Sequence, residues 1–356
     1  MSTSPPPDVP LPGGELQQAL RPGPAALPKF SIIIPVKPGG EVRALSGLNQ
    51  ATYPEELFEV LIAYGRQPSV QRNVAARDAK GEILYFLDDD SLVAPGFLER
   101  AASHYREPKV AAVGGPSLTP ANDSPLQRAI GTAFTSPVGG GGVRNRYRKN
   151  GSARYSNDSE LILCNLSFRR DIFLTHEGLD ERLYPNEENE LMDRLQQEGH
   201  LLVHDPELAI VRSQRNTYRA YVRQMYGYGR GRGEQTLISG QLKPVSLVPS
   251  LFLIYLLSLP FLGGGVFLLP LLCYLAVVAA ASVAGSISGR DLALLPRLLL
   301  VFPTLHLVYG AGVLRGLTRP RYRGGRQTHW EVEVRRVKAF SEPVINRSTT
   351  VLNVER

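Results

Sequence analysis

Three carboxylates in a row, Asp88-Asp89-Asp90, follow directly on the apolar run Glu82-Ile-Leu-Tyr-Phe-Leu87. Adjacent carboxylates at a strand end repel one another unless a cation or hydrogen-bond donors compensate. Hard divalent cations such as Mg2+ or Mn2+ take carboxylate oxygens and often share them with phosphate. The triplet therefore offers a metal–diphosphate site, and a metal-free acidic turn is the alternative. Of the six histidines, His104, His176, His200 and His204 read as structural or surface groups. Cys164 and Cys273 lie far apart with no paired Cys or His spacing, which argues against a zinc module or a disulfide framework.

The elements that must position these carboxylates are legible as alternating runs. Phe30–Pro35, Phe58–Ile62, Glu82–Leu87 and Val110–Gly114 are short and apolar, as buried strands are. Helical stretches fall near 41–51, 70–80 and 96–106. Strands alternating with helices predict an α/β domain with a largely parallel sheet, which binds ligands at the carboxyl ends of its strands. Gly139–Gly142 followed by Arg144, Arg146, Arg148 and Lys149 predicts a mobile basic loop, or an ordinary solvated linker.

The run Gln71-Arg-Asn-Val-Ala-Ala-Arg-Asp-Ala-Lys-Gly-Glu-Ile-Leu-Tyr-Phe-Leu-Asp-Asp-Asp90 resembles family 2 glycosyltransferases of the GT-A fold. The resemblance continues in Cys164-Asn165-Leu-Ser-Phe-Arg-Arg170 and in Gly178-Leu-Asp-Glu-Arg-Leu183. It ends in Glu187-Glu188-Asn-Glu190-Leu191-Met-Asp-Arg194-Leu195, where Glu188 stands in place of the usual Asp. More loosely, Tyr226-Gly-Tyr-Gly-Arg-Gly-Arg232 and His306-x-x-Tyr-Gly-Ala-Gly-Val-Leu-Arg-Gly316 are similar to the membrane-anchored, succinoglycan-type branch of exopolysaccharide enzymes.

The resemblance implies an inverting transferase that uses a nucleotide diphosphate sugar and Mg2+ or Mn2+. It implies Glu188 as the base that deprotonates the acceptor hydroxyl, and Asp88 and Asp90 as metal ligands. Pro35, Arg72, Asn73, Asp88 and Asp89 would line the nucleotide-sugar pocket; Asn165, Glu187, Arg194, Arg230 and Arg232 would face the acceptor or its lipid phosphate. Two departures stand out. The turn after the second strand, where many members place an Asp against uracil, reads Ala63-Tyr64-Gly65-Arg66, and the segment before Arg72 is short by roughly a helix and a strand. The Gln-x-x-Arg-Trp motif of processive synthases is missing, and the single Trp is Trp330.

Charge and hydropathy place this domain at a membrane. Between Lys243 and Arg290 lie 46 residues without Asp, Glu, Lys, Arg or His. That length makes about two helical crossings, split at Gly263-Gly264-Gly265. A third apolar segment, Leu298–Leu314, contains Pro303 and His306. Residues 212–243 hold seven basic groups to one acidic, and 315–356 hold ten to four. Basic flanks on both sides predict an even number of crossings, with the third segment lying partly in the interface; three full crossings are the alternative. Such belts suit anionic headgroups better than nucleic acid. Arg230 and Arg232 would serve there as a phosphate clamp, or as a plain amphipathic anchor.

The expected organisation is a disordered Pro-rich arm (1–28), a GT-A catalytic domain (29–215), a basic interfacial segment (216–243), a membrane region (244–317) and a basic cytoplasmic tail (318–356). The expected setting is a bacterial cytoplasmic membrane, with the catalytic domain in the cytoplasm. The acceptor is expected to be a lipid-linked saccharide and the neighbours polysaccharide-assembly enzymes. A polyprenyl-phosphate acceptor and a non-catalytic assembly subunit on the same fold are the two rivals.

Overall fold

This computed structural model describes residues 27–321 and 330–342; most of the Pro-rich arm and the tail segments 322–329 and 343–356 lie outside the described residues. The chain opens with three parallel strands, β1 (Phe30–Val36), β2 (Phe58–Tyr64) and β3 (Ile83–Leu87), with β1 in the middle. They are near-continuous apolar runs because the sheet is covered on both faces. Ile32, Ile34 and Tyr85 fill one layer of the core, and Ile33, Leu61 and Phe86 the other. Between the strands lie α1 (Ala44–Leu48) and α2 (Pro68–Asp78), and α3 (Phe97–His104) follows β3. The start of α2 is coded locally. Pro68 occupies its first turn, and the Gln67 side chain accepts from the Val70 amide at 3.0 Å.

The second half holds β4 (Val110–Gly114), β5 (Ser117–Leu118), α4 (Pro125–Thr135), β6 (Arg154–Ser156) and β7 (Asn165–Arg169). After them come α5 (Arg170–Thr175), α6 (Glu187–Gln197), β8 (Leu201–His204) and β9 (Ile210–Val211). The parallel unit expected from sequence is β2-β1-β3. Beyond it β7 runs antiparallel to both β3 and β4, so the whole sheet is mixed, in the order β10-β2-β1-β3-β7-β4-β8-β6, where β10 is the late strand Glu333–Lys338. The basic loop is not free. Residues Gly141–Tyr147 form a 3-10 turn whose Arg146 is buried, donating to the Asp158 and Ser159 carbonyls and to Asn189 Oδ1. A guanidinium with five donors finds its acceptors inside the protein here.

The carboxy-terminal part begins with α7 (Tyr218–Ser239), α8 (Val248–Ser258), α9 (Leu269–Ser288) and α10 (Leu295–Thr318). Three stretches, Pro244–Phe261, Gly265–Ser288 and Leu292–Thr318, are long and apolar enough to cross a membrane. The glycine run that reads from sequence as a headgroup anchor lies inside α7, and close packing explains its spacing. A Cβ at Gly229 would come 2.0 Å from the Tyr309 carbonyl oxygen, and one at Gly316 would come 2.3 Å from that of Arg230. Gly229 and Gly233 thus meet Gly312 and Gly316 of α10, small residues four apart that let two backbones touch. Helix α10 is further tied to α7, where Tyr221 donates to the Val301 carbonyl and Tyr218 bonds Thr304 at 2.6 Å, and to the catalytic domain, where Val301 and Phe302 pack with Ile130 and Phe134 of α4.

The last element overturns one expectation. Within the stretch read as a tail, β10 (Glu333–Lys338) joins the catalytic sheet, antiparallel to β2. Its charges made it look like tail, and each has an acceptor. Lys338 Nζ is buried against the carbonyls of Glu55 and Phe58, and Arg336 pairs with Glu59 at 2.7 Å. Since the chain returns to its own sheet, any crossings between 243 and 330 must be even in number.

Candidate active site

Strands β1, β2 and β3 end together, and the acidic triplet stands at the end of β3. Ser91 shapes the turn: its hydroxyl accepts from the Asp88 amide at 3.2 Å and donates to the Cys164 carbonyl at 3.1 Å. Two arginines compensate the carboxylates. Arg72 Nη2 lies 2.7 Å from Asp88 Oδ1, and Arg212 reaches Asp88 Oδ2 at 3.0 Å and Asp90 Oδ1 at 2.8 Å. Burial pushes the Asp88 carboxyl up, but Arg212 and Arg72 outweigh it and hold it below its ordinary value. Asp89 has less help; burial and then the Asp90 and Asp88 charges raise its pKa.

Three successive residues of α2 do three jobs, because each step turns the side chain about 100°. Gln71 donates to the Val36 and Ala63 carbonyls, closing the ends of β1 and β2. Arg72 points into the site. Asn73 instead bonds Leu179, donating to its carbonyl at 2.7 Å and accepting from its amide at 2.9 Å. It holds the turn that leads to α6, whereas sequence placed it in the nucleotide pocket. Pro35 lies in β1 beside Ala63, near the shared strand ends.

Across the site, Asn186 takes the left-handed conformation that asparagine tolerates and turns the chain into α6. Glu187 Oε1 lies 3.4 Å from Arg72 Nη1, with the two side chains only 2 % and 5 % exposed. Burial, then the neighbouring Glu188 charge, raises the Glu187 pKa well above the carboxylate range, against Arg72. Glu187 Oε2 and Arg72 Nε are buried without hydrogen-bond partners. Both atoms belong to the one buried Arg72–Glu187 pair, beside the acidic triplet. Glu188 is the next residue on the same first turn and is also buried.

The other residues assigned to the acceptor side have partners within the protein. Asn165 is fully buried, accepting from the Tyr85 hydroxyl at 2.7 Å and donating to the Leu208 carbonyl at 2.6 Å. Arg194 binds Glu190 and the His176 and Gly178 carbonyls. Arg230 faces Glu234 at 3.6 Å, with its Nε buried and without a hydrogen-bond partner, and Arg232 donates to Gln235 at 2.9 Å. Arg212 is the residue that sequence reading missed. It was counted within a basic belt, although it directly follows Ile210-Val211, which become β9. Away from the site, His176 and His200 meet Glu198 at the surface, a cluster that helical spacing did not reveal.

Residues 83–313 match the family model described as Glycosyl transferase family group 2. The chain belongs to this family. Among solved structures, it is similar to the mannosyltransferase PcManGT from Pyrobaculum calidifontis in complex with GDP-Man and Mn2+, at 17% identity and a TM-score of 0.50. That match covers 86% of this chain and 93% of the other. S. aureus TarS 1-349 in complex with UDP matches at 14% identity and a TM-score of 0.41, over 88% of this chain and 98% of that one. No curated protein sequence matches. The chain is therefore a glycosyltransferase on a GT-A-like α/β fold, with apolar helices that can associate it with a membrane.

Proposed function

We propose that this glycosyltransferase moves a sugar from a nucleotide diphosphate sugar to a lipid-linked saccharide, with inversion at the anomeric carbon, in assembly of an exopolysaccharide at a bacterial cytoplasmic membrane. One observation carries the reading. Arg72 joins Asp88, at 2.7 Å, to Glu187, at 3.4 Å, so that the acidic triplet and the Glu187–Glu188 turn stand together at the shared ends of β1, β2 and β3. Both parts of a displacement, an anchor for the leaving diphosphate and carboxylates for the incoming hydroxyl, are thereby within one site.

The residues fit Mg2+ or Mn2+. Asp88 and Asp90 are hard oxygen donors; Arg72 and Arg212 hold the two Asp88 oxygens and Oδ1 of Asp90, which leaves Oδ2 of Asp90 clear of Arg212 for a cation, and a cation would offset the burial and the neighbouring Asp90 and Asp88 charges that raise Asp89. When bound there, the cation would supply Lewis-acid stabilisation of the leaving diphosphate. Arg72 and Arg212, already aimed at these carboxylates, orient the diphosphate oxygens. Glu188 takes the proton of the acceptor hydroxyl as it attacks, and Glu187 holds Arg72 in place. The close approach of Gly231 in α7 to Pro185, just ahead of α6, supports reading the acceptor side of the site as the side toward α7 and the apolar helices packed on it.

The test is a donor screen on membranes containing the protein, with UDP-, GDP- and dTDP-sugars and Mn2+ or Mg2+. Release of one nucleoside diphosphate, coupled to a lipid-extractable sugar, is the expected result. Transfer without either metal, or release of free sugar alone with every donor, would sink the proposal.

A further inference from the structure

We propose that Trp330, at the head of the returning carboxy-terminal strand, forms a wall of the pocket for the donor's nucleobase. This rests on reading the β1–β3 edge as the nucleotide diphosphate sugar site. The placement follows from strand direction. Because β10 runs antiparallel to β2, its first residues lie beside the last residues of β2: Glu333 pairs with Tyr64. A Cβ built on Gly65 would come 3.4 Å from the Glu331 carbonyl oxygen. The segment 330–332 therefore stands at the carboxyl end of the sheet, the end that bears Asp88 and that such sheets use for ligands.

The turn of β2 itself has little to offer a base. Ala63-Tyr64-Gly65-Arg66 carries no carboxylate, and a Cβ at Gly65 would meet Gln71 Cγ at 2.8 Å, so the turn is closed against a larger side chain. The tail brings what the turn lacks. Trp330 is 44 % exposed, a broad apolar face beside a polar edge. Glu331, next to it, is exposed as well and can accept from base N–H groups. Nor is the strand loosely attached. Lys338 is buried at its far end, Arg336 bridges Glu59 and Asp78, and Arg335 lies 5.1 Å from the centre of the Tyr64 ring. An indole held this way can stack on any base, because every base has a π face. Through β10 the segment after the membrane helices would become part of the donor site.

Trp330 is the only tryptophan, so intrinsic fluorescence reports on it alone. The full chain in detergent with Mn2+ is titrated with UDP, GDP, ADP and inorganic pyrophosphate, and the same ligands are followed by calorimetry. The expected result is saturable quenching by at least one nucleoside diphosphate, with the calorimetric midpoint, and none by pyrophosphate. Trp330→Ala should weaken nucleoside diphosphate binding about tenfold and leave pyrophosphate unchanged, while Trp330→Phe keeps most of the affinity. Calorimetric binding without quenching, or equal affinity in Trp330→Ala, would overturn the proposal and leave the indole a membrane-interface anchor. An equal loss of pyrophosphate binding would overturn it too, as the signature of a merely structural residue. If no nucleoside diphosphate binds the wild type, the donor-site reading falls first and this proposal with it.

Discussion

Replacing Arg212 with Gln separates two ways of balancing the acidic triplet. In the structure Arg212 spans Asp88 at 3.0 Å and Asp90 at 2.8 Å, while Asp88 keeps Arg72 at 2.7 Å. Removing Arg212 therefore strands Asp90 more than Asp88. Breaking a fully buried pair costs about 3–5 kcal/mol. The three side chains here are 18 %, 23 % and 24 % exposed, and water screens part of that loss. Roughly 2 kcal/mol is left, or about 4–8 °C in Tm for a domain of this size. The sign with pH is set by Asp88, whose folded pKa is lowered. Its stabilisation is present above the unfolded value and is lost as pH falls through the folded one. Without Arg212 that loss begins at higher pH. Since Mn2+ can supply the missing positive charge, it should restore most of the Tm in Arg212→Gln but not in Arg212→Gln with Asp90→Asn. Thermal unfolding followed with a thiol-free dye is the assay. An Arg212→Gln protein with wild-type Tm, or one that Mn2+ fails to restore, would refute the reasoning.

Further outcomes follow from the same structure. Asp205, fully buried between Arg100 at 2.6 Å and His104 at 2.7 Å, has its pKa driven far down by these partners against burial, so its stabilisation disappears only in strong acid. Asp205→Asn should destabilise the protein at neutral pH by about 3 kcal/mol and flatten its acid limb below the ordinary carboxyl range, as read by unfolding from pH 2 to 8. In a Cys273→Ser background, Val266→Cys and Glu342→Cys should label from opposite faces of sealed vesicles with an impermeant maleimide, because β10 belongs to the catalytic sheet. Labelling from one face would contradict an α8–α9 hairpin that crosses.

The parallel core was legible because its strands are apolar throughout: Phe30–Val36, Phe58–Tyr64 and Ile83–Leu87 are buried on both faces. The acidic triplet was legible as a charge cluster at a strand end, with an acidic turn as the alternative, and it stands beside Arg72 and Arg212. What escaped was charge used inside the protein. Arg212, Arg146, Arg336 and Lys338 look like solvated surface in one dimension and become legible only when their acceptors arrive from 12 to 280 residues away. The glycines of α7 were misread for a similar reason. Their partner surface, Gly312 and Gly316, lies on another helix, and spacing within one helix cannot name its neighbour. Asn165 and Arg194 carried family motifs, yet their side chains are used up in holding β7 and α6.

The measurement closest to the central claim compares Asp90→Asn, Glu188→Gln and Glu187→Gln in two assays: calorimetry with nucleoside diphosphate and Mn2+, and sugar transfer. Asp90→Asn should lose both metal-dependent binding and turnover. Glu188→Gln should bind normally and turn over about 10²–10⁴ times more slowly, the size of a general-base contribution. Glu187 is tied to Arg72, so Glu187→Gln should loosen donor binding more than it slows transfer. Full transfer by Glu188→Gln with loss in Glu187→Gln would move the base by one residue, and full transfer by both, with Asp90→Asn still binding donor, would contradict the carboxylate mechanism altogether.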